Sequence, residues 1–270
     1  GVKAVHAVDA AGVHPLLLAI GSERYTPYSE VDHPQELLTQ AHAILGQGQL
    51  SLAKFLFILN ESDVPDLDIG QIESFLFEVL QRVDWRRDLH FSTKTTIDTL
   101  DYSGTGLNQG SKLVIAAAGK IKRNLTNTLP TSWSLPAGYT ESRVVMPGVL
   151  AIQGPPAIEG YVEQVNEFCL ALNTDHSANR FPLIVIVDES PPLTNNINEF
   201  LWVTFTRSNP AVDVHGLGAS INHKHWGCTG SLVIDARRKP HHAPLLEVDG
   251  QTSGQVDNIA SSGHAISKYL

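Results

Sequence analysis

Four blocks of this sequence recur in the same order, 119 to 132 residues apart, and this repeat restricts the possible folds more than any other feature. The paired segments are LAIG (18–21) with LAIQ (150–153), FLFILNES (55–62) with LIVIVDES (183–190), FLFEVLQR (75–82) with FLWVTFTR (200–207), and KLVIAAAGK (112–120) with SLVIDARRK (231–239). Repeated segments in a fixed order are typical of tandem copies of one folding unit. We therefore predict a tandem duplication.

Alternating strand and helix patterns indicate an α/β fold for each copy. The runs FLFIL (55–59) and LIVIV (183–187) are short, continuous and apolar, which is typical of central strands buried on both faces. Apolar residues at helical spacing predict helices at 33–45, 69–82, 157–172 and 196–206. We therefore predict two tandem, related three-layer α/β units with mixed, mostly parallel central sheets.

A segment rich in Thr, Ser, Asn and Pro, residues 124–143, separates the two copies and is predicted to be a linker. The predicted organisation is a first unit at 1–123, a second unit at 144–240 and a C-terminal tail at 241–270 with a short helix near 256–269. Because the chain lacks an initial Met and starts almost directly with a strand pattern, we expect it to be part of a longer protein.

Composition excludes several classes of protein. The 270 residues are 42% hydrophobic and 17% charged, as in a globular protein. A net charge of -9 argues against binding to nucleic acid or to an anionic membrane surface. The apolar runs are too short to span a membrane. Two cysteines provide no disulfide framework, so we expect a cytoplasmic protein.

The helix predicted at 196–206 is followed by a turn that contains Arg207 and Pro210. The residue before a proline avoids helical backbone, so the helix should end near Ser208. An arginine in the last turn meets exposed carbonyls and the negative end of the helix dipole. Asp213 is its predicted partner. These residues leave two interpretations open for Arg207, a helix terminus or a contact to a ligand.

Three blocks resemble the C-terminal domain of the UbiD family of prenylated-FMN-dependent decarboxylases. They are WVTFTRSNPAVD (202–213), IDTLDYSGTGLNQGSK (97–112) and VIDARRKP (233–240). The features of the family pattern are divided between the copies. The first copy keeps Ile97, Asp98, Leu100, Asp101, Gly110, Ser111 and Lys112, and the second keeps Arg207, Pro210, Asp213, Asp235, Ala236 and Lys239.

The resemblance implies a carboxy-lyase, which decarboxylates an aromatic or unsaturated carboxylic acid without oxidation. In that family the prenylated FMN, its metal ions and the catalytic residues belong to an N-terminal part, which has no counterpart in this sequence. We therefore expect this chain to bind no cofactor and to be inactive alone. It would close the active site, build a homo-oligomer and have the N-terminal flavin-binding part as its partner.

Candidate site residues follow from the same blocks. Asp98, Asp101, Ser111 and Lys112 are predicted substrate contacts, because they belong to a glycine-rich loop that leads into a strand. The alternative is a loop held by Asx turns, with a surface lysine. The residues predicted to be structural are Arg82, Arg207, Pro210, Asp213 and Asp235. The first copy keeps Arg82 without the proline, which favours a structural role for Arg207.

A group of metal-capable side chains provides a different hypothesis. It consists of His223, His225, Cys228, His241 and His242. Their spacing matches no zinc signature, so we predict no metal site. A metal-dependent hydrolase that uses this group remains one alternative function, and a purely structural oligomerisation module remains another.

Overall fold

Two five-stranded sheets form the centre of the protein. The computed structural model describes residues 1–25, 30–131, 133–172, 175–244, 248–261, 263 and 267. The strands of the first half are β1 (Ala4–Val8), β2 (Val13–Gly21), β3 (Phe55–Asn60), β4 (Leu89–Thr95) and β5 (Gly110–Ala117). Those of the second half are β6 (Thr140–Met146), β7 (Val149–Gln153), β8 (Leu183–Val187), β9 (Val214–Gly216), β10 (Ala219–Asn222), β11 (His225–Cys228) and β12 (Leu232–Asp235).

The helices alternate with these strands. They are α1 (Glu36–Leu45), α2 (Ile72–Arg82), α3 (Tyr161–Ala171), α4 (Pro191–Asn195), α5 (Ile197–Thr206), α6 (Pro210–Asp213) and α7 (Gly250–Ala260). Single turns of 3-10 helix lie at Asp9–Ala11, Gly48–Leu52, Glu61–Asp63 and Ser177–Arg180. We call β1–β5 with α1 and α2 the first unit, and β6–β12 with α3 to α6 the second unit.

Both sheets have the same topology. The spatial order is β1-β2-β3-β5-β4 in the first sheet and β6-β7-β8-β12-β9 in the second. In each sheet the three central strands are parallel and both edge strands are antiparallel. The β10–β11 hairpin lies in the connection between β9 and β12. The prediction of two tandem α/β units with mixed sheets is confirmed.

The helices form layers on both faces of each sheet. Side chains alternate along β2, so that Leu17 faces α1 while Leu16 and Leu18 face the space between the sheets. The second sheet packs in the same way against α3. Apolar residues of α2 and α5 lie with the inner faces of both sheets in one shared core. The two units therefore have a common helical layer, and contacts between them are extensive.

Several predicted boundaries differ from the structure. The first helix begins at Glu36, and α2 begins at Ile72. The start of α5 is capped by the Asn196 side chain, which accepts a hydrogen bond from Asn198 N–H at 2.9 Å. Strand β6 begins at Thr140, inside the segment predicted as a linker.

The helix predicted near 256–269 begins earlier, at Gly250, and ends at Ala260. The Asp249 carboxylate caps it by accepting a hydrogen bond from Thr252 N–H at 2.7 Å. Part of the predicted range, at 262, 264–266 and 268–269, lies outside the described residues. In the described part of the chain, no helix combines the length and apolar character needed to cross a membrane.

Candidate functional site between the two units

The turn after α5 provides one side of the site. The helix ends at Thr206, because Asn209 precedes a proline and takes extended backbone before α6 starts. Arg207 Nη1 donates a hydrogen bond to Asp188 Oδ2, directly after β8, at 3.1 Å. The prediction that Arg207 pairs with Asp213 is therefore wrong. The Asp188 carboxylate, at the end of β8, lies closer to the Arg207 guanidinium than the Asp213 carboxylate does.

The buried Asp213 carboxylate stabilises the same turn. Its Oδ2 accepts a hydrogen bond from Asn209 N–H at 2.6 Å, and its Oδ1 lies 3.3 Å from Lys239 Nζ. Lys239 also donates to the carbonyl oxygens of Arg207 (3.0 Å) and Asp235 (2.6 Å). Burial raises the pKa of Asp213 to about 6, although the Lys239 ammonium opposes this. One lysine thus joins the turn after α5 to the end of β12.

The end of β12 is fixed by a fully buried ion pair. Asp235 Oδ2 lies 2.8 Å from Arg237 Nη2, and neither side chain is exposed. Arg237 also donates to Pro155 O at 2.6 Å and to Gln164 Oε1 at 3.2 Å. Because each charge has several partners, the pair holds β12 against the loop before α3.

The opposite side comes from the β4–β5 connection of the first unit. Asp101 Oδ2 lies 2.7 Å from Lys54 Nζ, and the two side chains are 4% and 1% exposed. The same ammonium donates to Ser103 Oγ at 2.7 Å. Burial lowers the pKa of Lys54, and the Asp101 carboxylate opposes this shift. This buried pair ties the connection to the start of β3.

Asp98 lies in the same connection but nearer to solvent. Its carboxylate accepts hydrogen bonds from Leu100 N–H at 3.0 Å and from the His14 ring. Burial raises the pKa of Asp98, but these hydrogen bonds outweigh it, and the net shift is downward. Asp98 is therefore an ionised acceptor at neutral pH.

Ser111 and Lys112 lie within β5 and are buried. Ser111 Oγ donates to Asn209 Oδ1 and accepts from Ala211 N–H at 2.8 Å, so it crosses from one unit to the other. Lys112 Nζ donates to Ala53 O at 2.8 Å. Burial lowers the pKa of Lys112 to about 8, against the opposing charge of Asp101. Their predicted contact with substrate stays a prediction.

A cleft of about 610 Å³ opens between these two sides. Its walls come from both units, with apolar and charged side chains together. They are Gly12, Pro15, Asp98, Leu100, Asp101, Tyr102, Ser103, Trp202, Thr206, Arg207, Arg238, His242, Ala243 and Pro244. Asp98 and Asp101 therefore line the cleft, whereas Ser111 and Lys112 lie behind its wall. We call the contact of 98–103, 111 and 112 with 207–213 the Arg207 interface.

Positive charge is concentrated on one wall of the cleft. Asp188 Oδ2 accepts from Arg207 and from Arg238 N–H (3.0 Å), and Arg238 Nε lies 3.6 Å away. One carboxylate thus serves two guanidinium groups. His242 adds no charge there, because burial and Lys239 lower its pKa to about 3. The arrangement favours an anionic group on this wall.

The corresponding contact, made by the equivalent segment of the first unit, is closed. Trp85 is buried and donates from Nε1 to Pro182 O at 2.9 Å. Arg82 pairs with Glu78 and donates to Asp63 O at 3.2 Å. The space left there, beside residues 179–182 and 228–231, is only about 110 Å³. We call the contact of 82–88 with 179–182 and 227–231 the Trp85 interface.

The metal-capable side chains predicted from the sequence are not brought together. His223 lies in the β10–β11 turn, with a positive φ of 48°. His225 packs against His90 at 5.5 Å between ring centroids, and Cys228 is buried. His241 and His242 contact each other, 4.8 Å between centroids. Among the described residues, no group of three or more His, Cys, Asp or Glu side chains could hold a metal ion.

Sequence reasoning missed Lys54, Asp188 as the partner of Arg207, and Arg238 and Trp202 as walls of the cleft. Lys54 had a visible signal, since it stands directly before the apolar run FLFIL. A charged residue there must find a buried partner. Trp202 lies in α5 and is 50% exposed, a large apolar side chain left in solvent that only the structure reveals.

Comparison with known proteins gives a family assignment for the first unit. Residues 1–117 match the family model of the 3-octaprenyl-4-hydroxybenzoate carboxy-lyase C-terminal domain, UbiD_C. The match ends with β5 and therefore covers all five strands of the first sheet.

Two relatives align with nearly the whole chain. An uncharacterised protein of Chlamydia trachomatis is 34% identical over 262 residues, which is 96% of this chain and 41% of that protein. A protein of Chlamydia pneumoniae, which is named as one subunit of a 4-hydroxybenzoate decarboxylase, is 33% identical over 95% of this chain and 40% of its own length. The chain thus spans about two fifths of the relatives it matches.

Among solved structures, the UbiD-class enzyme of Pelotomaculum thermopropionicum in complex with FMN is 17% identical with a TM-score of 0.36, over 43% of this chain and 23% of that one. The open form of vanillic acid decarboxylase from Sedimentibacter hydroxybenzoicus is also 17% identical with a TM-score of 0.36, over 51% and 26%. These similarities are too low for residues to be compared. The family match thus makes the first unit similar to the C-terminal domain of the UbiD family of carboxy-lyases.

Proposed function

We propose that this chain is the C-terminal, twice-repeated part of a UbiD-type carboxy-lyase, which decarboxylates an aromatic or unsaturated carboxylic acid without oxidation. The observation that carries the proposal is the family match over residues 1–117. The Chlamydia pneumoniae relative is named for 4-hydroxybenzoate, so that acid is the first substrate to test.

The role of this chain would be to close the active site and to assemble the enzyme as a homo-oligomer. Prenylated FMN and its metal ions would bind to an N-terminal flavin-binding part of the same protein. The cleft at the Arg207 interface suits an organic acid better than a metal, because its wall carries two guanidinium groups. We therefore assign no flavin or metal ligand to this chain and expect it to be inactive alone.

The two units would descend from a tandem duplication of one UbiD C-terminal domain, with a first domain at 1–123 and a second at 144–240. Equal strand order in the two sheets supports this. So do two matching turns: Asp88 Oδ2 accepts from Asp84 N–H at 2.8 Å, as Asp213 accepts from Asn209 four residues before it.

We also propose a cytoplasmic location for the enzyme. Cys169 and Cys228 are both free, buried thiols in the structure. Burial raises the pKa of each thiol to about 12, which keeps it protonated and unreactive. This chemistry suits a reducing compartment.

The decisive experiment compares the complete protein, supplied with prenylated FMN, with the 270-residue chain. We expect CO₂ release from 4-hydroxybenzoate or a related acid by the complete protein and none by the chain alone. A complete protein that loads the flavin but releases no CO₂ from a panel of aromatic and unsaturated acids contradicts the proposal.

The substrate contact predicted for Lys112 needs its own variant. Lys112→Met keeps the buried stem, and the exposed Lys120→Met provides a matched control. Turnover and flavin binding that are unchanged in Lys112→Met would remove this residue from the substrate site. If deleting the chain leaves turnover intact and only changes the oligomeric state, a purely structural module is the correct function.

A further inference from the structure

We propose that the cleft at the Arg207 interface binds a small organic acid, whose carboxylate contacts Arg207 and Arg238 and whose apolar body lies against Trp202. This inference rests on the proposed function, since it gives the acid of that reaction a site in this chain. The inference specifies the position of the binding site, the chemical class of the ligand and the residues that recognise this ligand.

The guanidinium groups are the first part of the argument. Arg207 uses Nη1 for Asp188 and makes no other hydrogen bond from its side chain in the described part of the chain. A guanidinium has five N–H donors, so most of them remain for a ligand. The Arg207 side chain is 23% exposed and the Arg238 side chain is 47% exposed. Both are therefore accessible from the cleft that they line.

Asp188 holds these groups in position. It accepts from the Arg207 side chain and from Arg238 N–H through the same oxygen, Oδ2. Asp188 engages only one Nη of Arg207 and one backbone N–H and Nε of Arg238, so both guanidinium groups keep N–H donors that face the cleft. A ligand carboxylate would accept charge-assisted hydrogen bonds from these donors.

The remaining walls decide what kind of anion fits. Trp202, Tyr102 and Leu100 are 50%, 63% and 75% exposed, and two prolines, Pro15 and Pro244, line the same space. Apolar groups exposed in a concave site are stabilised by an apolar ligand. On the far side, Asp98 repels an anion and so directs the carboxylate to the arginine wall. Inorganic phosphate would leave the apolar walls without a contact.

The first unit provides an internal contrast. Arg82 is the counterpart of Arg207, but its guanidinium is occupied by Glu78 and Asp63 O and its side chain is only 9% exposed. Phe77 stands where Trp202 stands in the second unit, and it packs on the shared core. Equivalent positions are thus sealed in one interface and open in the other, which localises the site to the Arg207 interface.

The test measures binding of benzoate to the 270-residue chain by calorimetry or ligand-detected NMR, with benzamide as the uncharged isostere. We expect benzoate to bind at least tenfold more tightly than benzamide. Arg207→Met should weaken benzoate binding at least tenfold, and Arg86→Met, which removes an arginine that pairs with Asp84 and does not line the cleft, should change nothing. Equal affinities for benzoate and benzamide, or no loss in Arg207→Met, would overturn the site.

A second variant distinguishes the loss of a ligand contact from misfolding of the chain. Arg207→Met removes the side-chain hydrogen bond to Asp188, whereas Arg238→Met keeps this bond and the backbone hydrogen bond from residue 238. Arg238→Met should weaken benzoate at least threefold, and an unchanged affinity counts against the proposal.

The outcome also separates this inference from the proposed function. Benzoate binding by the chain, with no decarboxylation by the complete protein, would support the site and remove the function. If the chain binds no benzoate, and Arg207→Met and Arg238→Met leave decarboxylation by the complete protein unchanged, the function is supported and the site is removed.

Discussion

The Arg207 interface and the Trp85 interface are built from equivalent segments, yet the first borders an open cleft and the second is closed. At the first, Lys54, Asp101 and Lys112 of one unit meet Arg207 and Asp213 of the other beside a cleft of about 610 Å³. At the Trp85 interface, the indole ring of Trp85 fills the contact and leaves a space of about 110 Å³.

The substitutions that separate the interfaces are few. Lys54 precedes β3, whereas Pro182 holds the same place before β8 and offers only its carbonyl, to Trp85. Pro210 begins α6 where the first unit has Trp85. If the proposed duplication and the proposed acid site are both correct, one interface kept ligand contact and the other gained stability.

The largest expected effect comes from breaking the buried ion pair of the Arg207 interface. Lys54→Met leaves the Asp101 carboxylate buried without its partner, which should lower the free energy of unfolding by about 3–5 kcal/mol. Urea denaturation of the 270-residue chain measures this.

A double variant shows whether charge or packing is responsible. Lys54→Met with Asp101→Leu removes both charges, and it should recover most of the loss because the desolvation penalty disappears with the pair. If Lys54→Met alone costs less than about 1 kcal/mol, the Arg207 interface is held by its apolar contacts, and the contrast between the interfaces is weaker than the geometry indicates.

A smaller effect concerns two carboxyls in equivalent turns. Burial raises the pKa of Asp88 at the Trp85 interface and of Asp213 at the Arg207 interface, each to about 6. An unfolded aspartate has a pKa of about 3.9, so the folded chain binds more protons between these values. Each carboxyl therefore lowers the free energy of unfolding as the pH rises from 4 to 6, by roughly 2 kcal/mol.

Carboxyl NMR titration should find both midpoints near pH 6. Asp88→Asn should remove its share of the pH dependence, and its stability relative to wild type should improve as the pH rises through this range. His215 acts in the opposite direction, because burial lowers its pKa to about 4 and its stabilisation is lost as the pH falls from 6.5 to 4. A midpoint near 4 for Asp213 alone would mean that Lys239 outweighs burial, and the two turns would differ electrostatically.

Prediction from sequence succeeded where the signal was local and periodic. The apolar runs of β3 and β8 are explained by burial of a strand on both faces. The helical spacing of apolar residues in α2 and α5 is explained by burial of one face of each helix. The start of α7 was also available, since Asp249 is a good N-cap residue, but the prediction placed the start of this helix near residue 256.

The site was less predictable because its partners lie far apart in the sequence. Asp101 is 47 residues from Lys54, and Asn209 is 98 residues from Ser111. No periodic pattern in the sequence indicates contacts between residues so far apart. The division of the family pattern between the copies was visible in the sequence, but only packing of the units shows that the retained halves face each other at one interface.

The smallest expected effect uses one substitution at both interfaces. Trp85→Phe removes the Nε1–H donor, so that Pro182 O keeps only the hydrogen bond from Leu232 N–H, and it opens space in the shared core; the free energy of unfolding should fall by about 2 kcal/mol. Trp202→Phe changes a half-exposed ring that lines the cleft, and it should cost less than about 1 kcal/mol. Urea denaturation of both variants measures the difference.

Ligand binding should respond in the opposite order. Trp202→Phe should weaken benzoate binding severalfold, because the apolar wall of the cleft shrinks, whereas Trp85→Phe should leave affinity unchanged in the folded chain. Equal stability losses and equal affinities in the two variants would show that the interfaces are not specialised. A stability loss confined to Trp85→Phe and an affinity loss confined to Trp202→Phe would assign structure to one interface and recognition to the other.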